Sequence, residues 1–253
     1  MGTRCLRCAS SKVTKLRYPR GGMSVISIAG NNYIRPIADL VFQLTRCKRD
    51  SSYPAQPLHS EVDYSTVLIL LLVLMTESYL ARVRHFDKTT DAETKKWATK
   101  YLGSLDGCKR LANRFGEVYL LRNAIVHNHV FEYEHVWNFN GDYRDRKFKI
   151  DTSWQGAHKK TVYSELVEIK KYAEPKTKLL GLRVTPTRMG REDALKVFET
   201  THQIFKQLYK KKYLDISIDN LRVPYQPIGE SRKTLSFPFW NLIEEIRKVT
   251  NEN

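Results

Sequence analysis

Four cysteines in 253 residues are too few for a disulfide scaffold, so a reducing, cytoplasmic setting is expected. Cys5 and Cys8 form a CxxC pair, but no second pair follows. Cys47, His59 and Cys108 would have to fold together to complete a zinc site, because structural zinc sites usually show paired ligand spacing. Reduced thiols without metal, and no cofactor, are the expectation. Long apolar runs are also scarce. The longest, "VLILLLVLM" at 67–75, is about half of the roughly 20 residues that cross a bilayer. No secretory signal pattern precedes it, and no membrane partner is expected. Acids are missing from the first 38 residues, which carry Arg and Ser without apolar periodicity. Residues 1–22 therefore read as a flexible basic tail or an extension upstream of Met23. No repeat at solenoid periods is visible.

What is present is positive charge. Lys and Arg number 43 against 27 acids, a formal net charge of +16, which implies polyanionic partners, nucleic acid first. The excess is uneven: residues 1–60 hold 10 Lys and Arg against two acids. DNA is the weaker choice, since no recognition-helix or zinc-finger pattern appears. An apolar content of 42% supplies enough material for a core and excludes global disorder.

The chain divides into a basic N-terminal segment, 1–60, and a helical domain, 61–253. Within the first, "YIRPIADLVFQLTR" suggests a short helix after Pro36, and "RDSSYPAQP" a linker. A helix capped by Asp63 or Ser65 is expected to run to about Phe86, apolar on nearly every side and so central to a bundle. An amphipathic helix follows from Asp91 to Gly103, and a third starts near Asp106. After His129 the period changes from 3.6 to 2: Phe131, Tyr133, His135, Trp137 and Phe139 alternate with their neighbours, "NGD" is a turn signal, and "RKFKID" is the returning strand. "KTKLLGLRVTP" reads as a further strand ending at Pro186. Helix returns from Arg191, with Leu195, Phe198, Phe205 and Leu208 at helical spacing, and "PFWNLIEEIRKV" closes the chain. The expected fold is mainly α, a helical bundle interrupted at about 130–185 by a β-containing insertion.

The third helix carries the residues that matter most. Its apolar stripe runs Leu111, Phe115, Val118, Arg122, Ile125, so an arginine occupies an apolar position. A cation there needs a carboxylate, a phosphate or a partner subunit; a buried ion pair, or snorkelling to the helix edge, is the plain structural reading. His127 lies about 140° around an ideal helix from Arg122, so the two do not share a face. Asn123 lies one turn before His127 and is placed to orient its ring. On the first long helix, Glu77 is flanked at helical spacing by Val73, Leu74, Leu80 and Ala81. It is a natural partner for Arg122 or His127, or else it marks the point where that helix meets solvent.

"RNAIVH" at 122–127, with an acid-bearing apolar helix before it and a long helix after it, resembles the R-N-x3-H motif of the HEPN (higher eukaryotes and prokaryotes nucleotide-binding) family. The resemblance covers roughly residues 61–129 and 187–215, leaving the basic segment and the insertion outside it. It implies a HEPN-like helical bundle and a metal-independent endoribonuclease of the toxin or antiviral-defence type. Two protomers would pool their motifs in one cleft, which would also resolve the 140° separation. Arg122, Asn123 and His127 carry over as catalytic residues, and Glu77 by position only. RNA and a second copy of the chain are the implied partners, with a nucleotidyltransferase-type antitoxin a further one. The competing reading is a non-catalytic RNA- or nucleotide-binding module, in which the same residues grip phosphate without cutting. Trp137, Tyr143, Trp154 and Tyr163 are candidates for stacking on unpaired bases, although core and sheet packing would employ them equally well.

Overall fold

The computed structural model describes residues 32–48, 57–86, 97–126, 131–137, 143–150, 166–168, 175–211, 221–225 and 235–251. The fold is mainly helical, with a few short strands. Among the described residues, six α-helices span Ile34–Arg46 (α1), His59–Phe86 (α2), Trp97–Ser104 (α3), Lys109–Val126 (α4), Arg191–Lys210 (α5) and Leu242–Asn251 (α6). The described strands pair as three separate antiparallel ribbons: Phe131–Trp137 (β1) with Tyr143–Ile150 (β2), Val167–Glu168 (β3) with Lys176–Thr177 (β4), and Arg222–Tyr225 (β5) with Leu235–Pro238 (β6).

Helix α2 organises the core. It touches α1, α3, α4 and α5, and buries Leu68, Ile69, Leu72, Val73, Met75, Tyr79, Leu80 and Val83. Burial is one-sided, however. Val67 remains 44% exposed, and Leu70, Leu71, Leu74 and Glu77 are only half-buried. By length and composition α2 also meets the criterion for a bilayer crossing, with a mean hydropathy of 1.8 over its most apolar stretch, half of which is packed inside the protein.

Helix α1, from the basic N-terminal segment, belongs to the same core through Ile37, Ala38, Val41 and Leu44. Helix α5 adds Val197, Phe198, Ile204, Phe205 and Leu208, and α6 adds Leu242, Ile243 and Ile246. The 3.6-residue spacing visible in the sequence of α5 is thus the spacing of its buried face.

Helix α2 starts at His59, ahead of the expected Asp63 or Ser65 cap. The reason is Glu61. In the first turn, fully buried, it accepts the backbone N–H of Arg191 at 3.0 Å and pairs with that guanidinium at 2.9 Å. Arg191 also donates to the carbonyls of Cys47 and Val249, so one buried ion pair joins α1, α2, α5 and α6 at their ends.

Helix α4 begins at Lys109, after a turn in which Gly107 takes φ 73°, a conformation that favours glycine. Gly103 lies inside α3, which ends at Ser104; the expected start of that helix at Asp91 lies outside the described residues. The hairpin read from alternation is present, with Phe131 opposite Ile150, Tyr133 opposite Phe148, and Trp137 opposite Tyr143. The strand expected over 176–186 is instead two residues long. After Thr177 the backbone turns through Gly181 (φ 62°), and the Thr177 hydroxyl accepts the N–H of Leu182. The buried carboxylate of Glu117 on α4 accepts the N–H groups of Leu179 and Leu180 at 2.7 and 2.8 Å, holding that turn in place. A ladder partner would have been needed to keep those groups extended.

Candidate active site

The last two turns of α4 lie against the second half of α2, and the motif residues are there. The α4 stripe leaves the core as it approaches the helix end. Phe115 and Val118 are fully buried, Arg122 and Ile125 half-buried, and Val126 is 50% exposed. Arg122 therefore occupies the stripe at the depth where core gives way to solvent. Its side chain is fixed on two sides. Nη1 donates to Oδ1 of Asn123 at 2.9 Å, and the guanidinium carbon sits 5.5 Å from the centre of the Tyr119 ring, within cation–π range. Tyr119 is itself packed edge-on against Phe115.

Glu77 faces this group from α2. The Tyr119 phenol and the Arg122 guanidinium both lie close enough to act on its carboxylate. Burial pushes the Glu77 carboxyl above the usual carboxylate range, while the nearby Arg122 charge and Tyr119 phenol oppose that rise. The Tyr119 phenol is also raised, first by burial and then by the neighbouring Glu77 charge. Arg122 makes no ion pair with a carboxylate among the described residues, and its Nε is buried without a hydrogen-bond partner.

Three of the four residues expected from the sequence, Glu77, Arg122 and Asn123, are thus brought together. His127 follows the last residue of α4 and lies outside the described residues. Asn123 was expected to orient His127; its carbonyl oxygen is used to hold Arg122. Tyr119 was not anticipated, although its place three residues before Arg122 puts both on one helix face. His135 lies on β1, and Trp154 and Tyr163 lie outside the described residues.

Among the described residues no group of three or more His, Cys, Asp or Glu is arranged for a metal. Cys47, His59 and Cys108 do not form such a group, and Cys47 and Cys108 are free thiols; Cys5 and Cys8 lie outside the described residues.

No family model matches the chain, and no curated protein or solved structure matches it.

Proposed function

We propose that this protein is a HEPN-like endoribonuclease that cuts RNA without a metal ion. The observation that carries the reading is Arg122, held by Tyr119 and Asn123 at the edge of the core with no carboxylate paired to it among the described residues. In the proposed reaction the RNA 2′-oxygen bonds to the adjacent phosphorus as the bond from phosphorus to the 5′-oxygen breaks. His127 is assigned the proton transfer, taking the 2′-hydroxyl proton or supplying one to the leaving 5′-oxygen. Arg122 neutralises charge growing on the non-bridging oxygens. The +16 net charge draws the polyanion in.

The reading includes a homodimer. Val67, Leu71 and Leu74 form a partly exposed apolar line on α2 that leads to Glu77 at helical spacing, and a second copy burying that line would bring two motifs together. Light scattering at micromolar concentration is expected to give twice the mass of the chain; a monomer, with or without RNA, refutes the pooled site.

Incubating the purified protein with RNA in EDTA tests the chemistry. Cleavage is expected to persist and to leave 2′,3′-cyclic phosphate ends, while a substrate with hydrogen in place of the target 2′-hydroxyl stays intact. Arg122→Ala and His127→Ala are each expected to lower the rate by roughly 10²–10⁴-fold. Near-wild-type cleavage by His127→Ala, or complete inhibition by EDTA, overturns the assignment. Binding without cleavage by the wild type makes this a non-catalytic RNA-binding module.

A further inference from the structure

Resting on the reading that RNA is the polyanion this protein takes, we propose that the seam between α4 and α5 is the surface on which it docks. Arg110, Arg114, Lys206 and Lys210 grip the phosphates of a single strand there, and Tyr209 stacks on one of its bases.

The two helices run antiparallel along this seam, and three close approaches fix their register. Arg114 donates from Nη1 to Oε1 of Gln203 at 2.7 Å. A Cβ on Gly107 would lie 2.9 Å from the Gln207 amide nitrogen, and Asp106 pairs with Lys211. Arg110 lies one turn before Arg114 and is therefore level with Gln207. On α5, Gln203, Lys206, Gln207 and Lys210 share one face at helical spacing. Arg110, Lys206 and Lys210 are exposed and form no ion pair among the described residues. Arg114 is held by a neutral amide, which orders its guanidinium without cancelling its charge. The acids at the two ends of the seam are already engaged: Asp106 with Lys211, Glu199 with Arg247, and Glu117 with the N–H groups of Leu179 and Leu180. Like charges on neighbouring turns repel one another. A row of phosphates relieves that repulsion and releases its own counterions in the exchange. Tyr209, 42% exposed, lies three residues after Lys206 at the solvent edge of the same helix. A ring exposed beside cations is a platform for an unpaired base, which favours a single strand over a polyanion without bases. The seam is also connected to the candidate site: Arg114 and Arg122 lie on one helix, about 12 Å apart along its axis.

Binding of a fluorescent 2′-O-methyl oligouridylate, which cannot be cut, to the full-length protein over a range of salt concentrations tests the surface. One variant carries Arg110→Gln with Arg114→Gln, and a second carries Lys206→Gln with Lys210→Gln. Arg35→Gln with Arg46→Gln removes the same charge from exposed positions on α1 and controls for net charge. Each seam variant should bind on the order of tenfold more weakly than the control, and its slope of log affinity against log salt should flatten by about 1.4, at about 0.7 per lost phosphate contact on a single strand. Tyr209→Ala should also weaken binding on the order of tenfold, with the salt slope unchanged, and should leave binding of inorganic polyphosphate as it was. Thermal unfolding checks the fold; the α5 pair makes no side-chain bond among the described residues, so it decides the matter if the α4 pair is destabilised. Seam variants that bind like the control overturn the proposal, as does a Tyr209→Ala protein that binds the oligouridylate like wild type. Polyphosphate held as tightly as the oligouridylate overturns it too, and makes the seam a general polyanion surface. Cleavage of unmodified RNA is scored separately. If the wild type cuts RNA and the seam variants bind like the control, only the seam falls; if the seam variants lose binding and the wild type never cuts, the ribonuclease reading falls and the docking surface stands.

Discussion

Replacing Glu61 with alanine should be among the most damaging single changes available to this fold. The side chain is fully buried and pairs at 2.9 Å with an Arg191 side chain that is 3% exposed. Removing it strands the guanidinium with the carbonyls of Cys47 and Val249, at 2.7 and 3.1 Å, and leaves the Arg191 backbone N–H without its acceptor. Two neutral carbonyls cannot offset a buried positive charge, and Nε of Arg191 already lacks a partner. Breaking a buried pair from one side costs about 3–5 kcal/mol, set against about 5–15 kcal/mol for a whole domain. At about 2–4 °C per kcal/mol for a chain of this size class, the midpoint of thermal unfolding should fall by roughly 6–20 °C. Calorimetry or circular dichroism at neutral pH measures it. Glu61→Leu combined with Arg191→Met removes both charges and should recover most of the loss, since apolar replacement of a buried pair is often neutral. A drop below about 1 kcal/mol for Glu61→Ala, within the range of exposed pairs, refutes the reasoning. So does a double variant no more stable than the single one.

Glu77→Gln should stabilise the protein in a pH-dependent way. Burial raises the folded-state pKa of Glu77, so the folded state holds its proton more tightly than the unfolded chain. The associated stability is complete below the ordinary glutamate pKa of about 4.3 and is lost as pH rises through the folded value. The melting temperature of Glu77→Gln should therefore exceed that of wild type at pH 7 and converge with it in acid; a constant difference across that range counts against the assignment. Gly181→Ala should cost roughly 1–2 kcal/mol through its left-handed backbone, since the nearest atom to an added Cβ, Lys196 Nζ at 3.6 Å, is at ordinary contact distance; an unchanged unfolding midpoint would show that the turn relaxes. Glu117→Ala should lose roughly 2–4 kcal/mol by orphaning the N–H groups of Leu179 and Leu180, and hydrogen exchange should quicken at those two amides. Unaltered exchange there would mean that the turn does not depend on α4.

The local elements of this protein were legible in the linear sequence because their periods are local properties. The spacing of Leu195, Phe198, Phe205 and Leu208 specified the inner face of α5, and alternation from Phe131 specified the hairpin. An arginine interrupting the stripe of α4 marked the candidate site, and Glu77 was recognisable as an acid within an apolar helix. Tertiary structure decided what periodicity does not contain. Glu61 and Arg191 are 130 positions apart, and nothing in either neighbourhood announces that they will share a buried pair. Glu117 occupies an apolar environment because a distant turn offers it two N–H donors, so it reads from the sequence as an ordinary surface acid. The exposed line on α2 is of the same kind: an apolar run specifies a helix that can be buried, while the number of neighbours determines how much of it is. At the site, helical spacing places Tyr119 and Arg122 on one face, but only the packing of α2 against α4 sets Glu77 beside the phenol. Side-chain partners across helices depend on interhelical distance and rotation, which follow from the packing of the whole core.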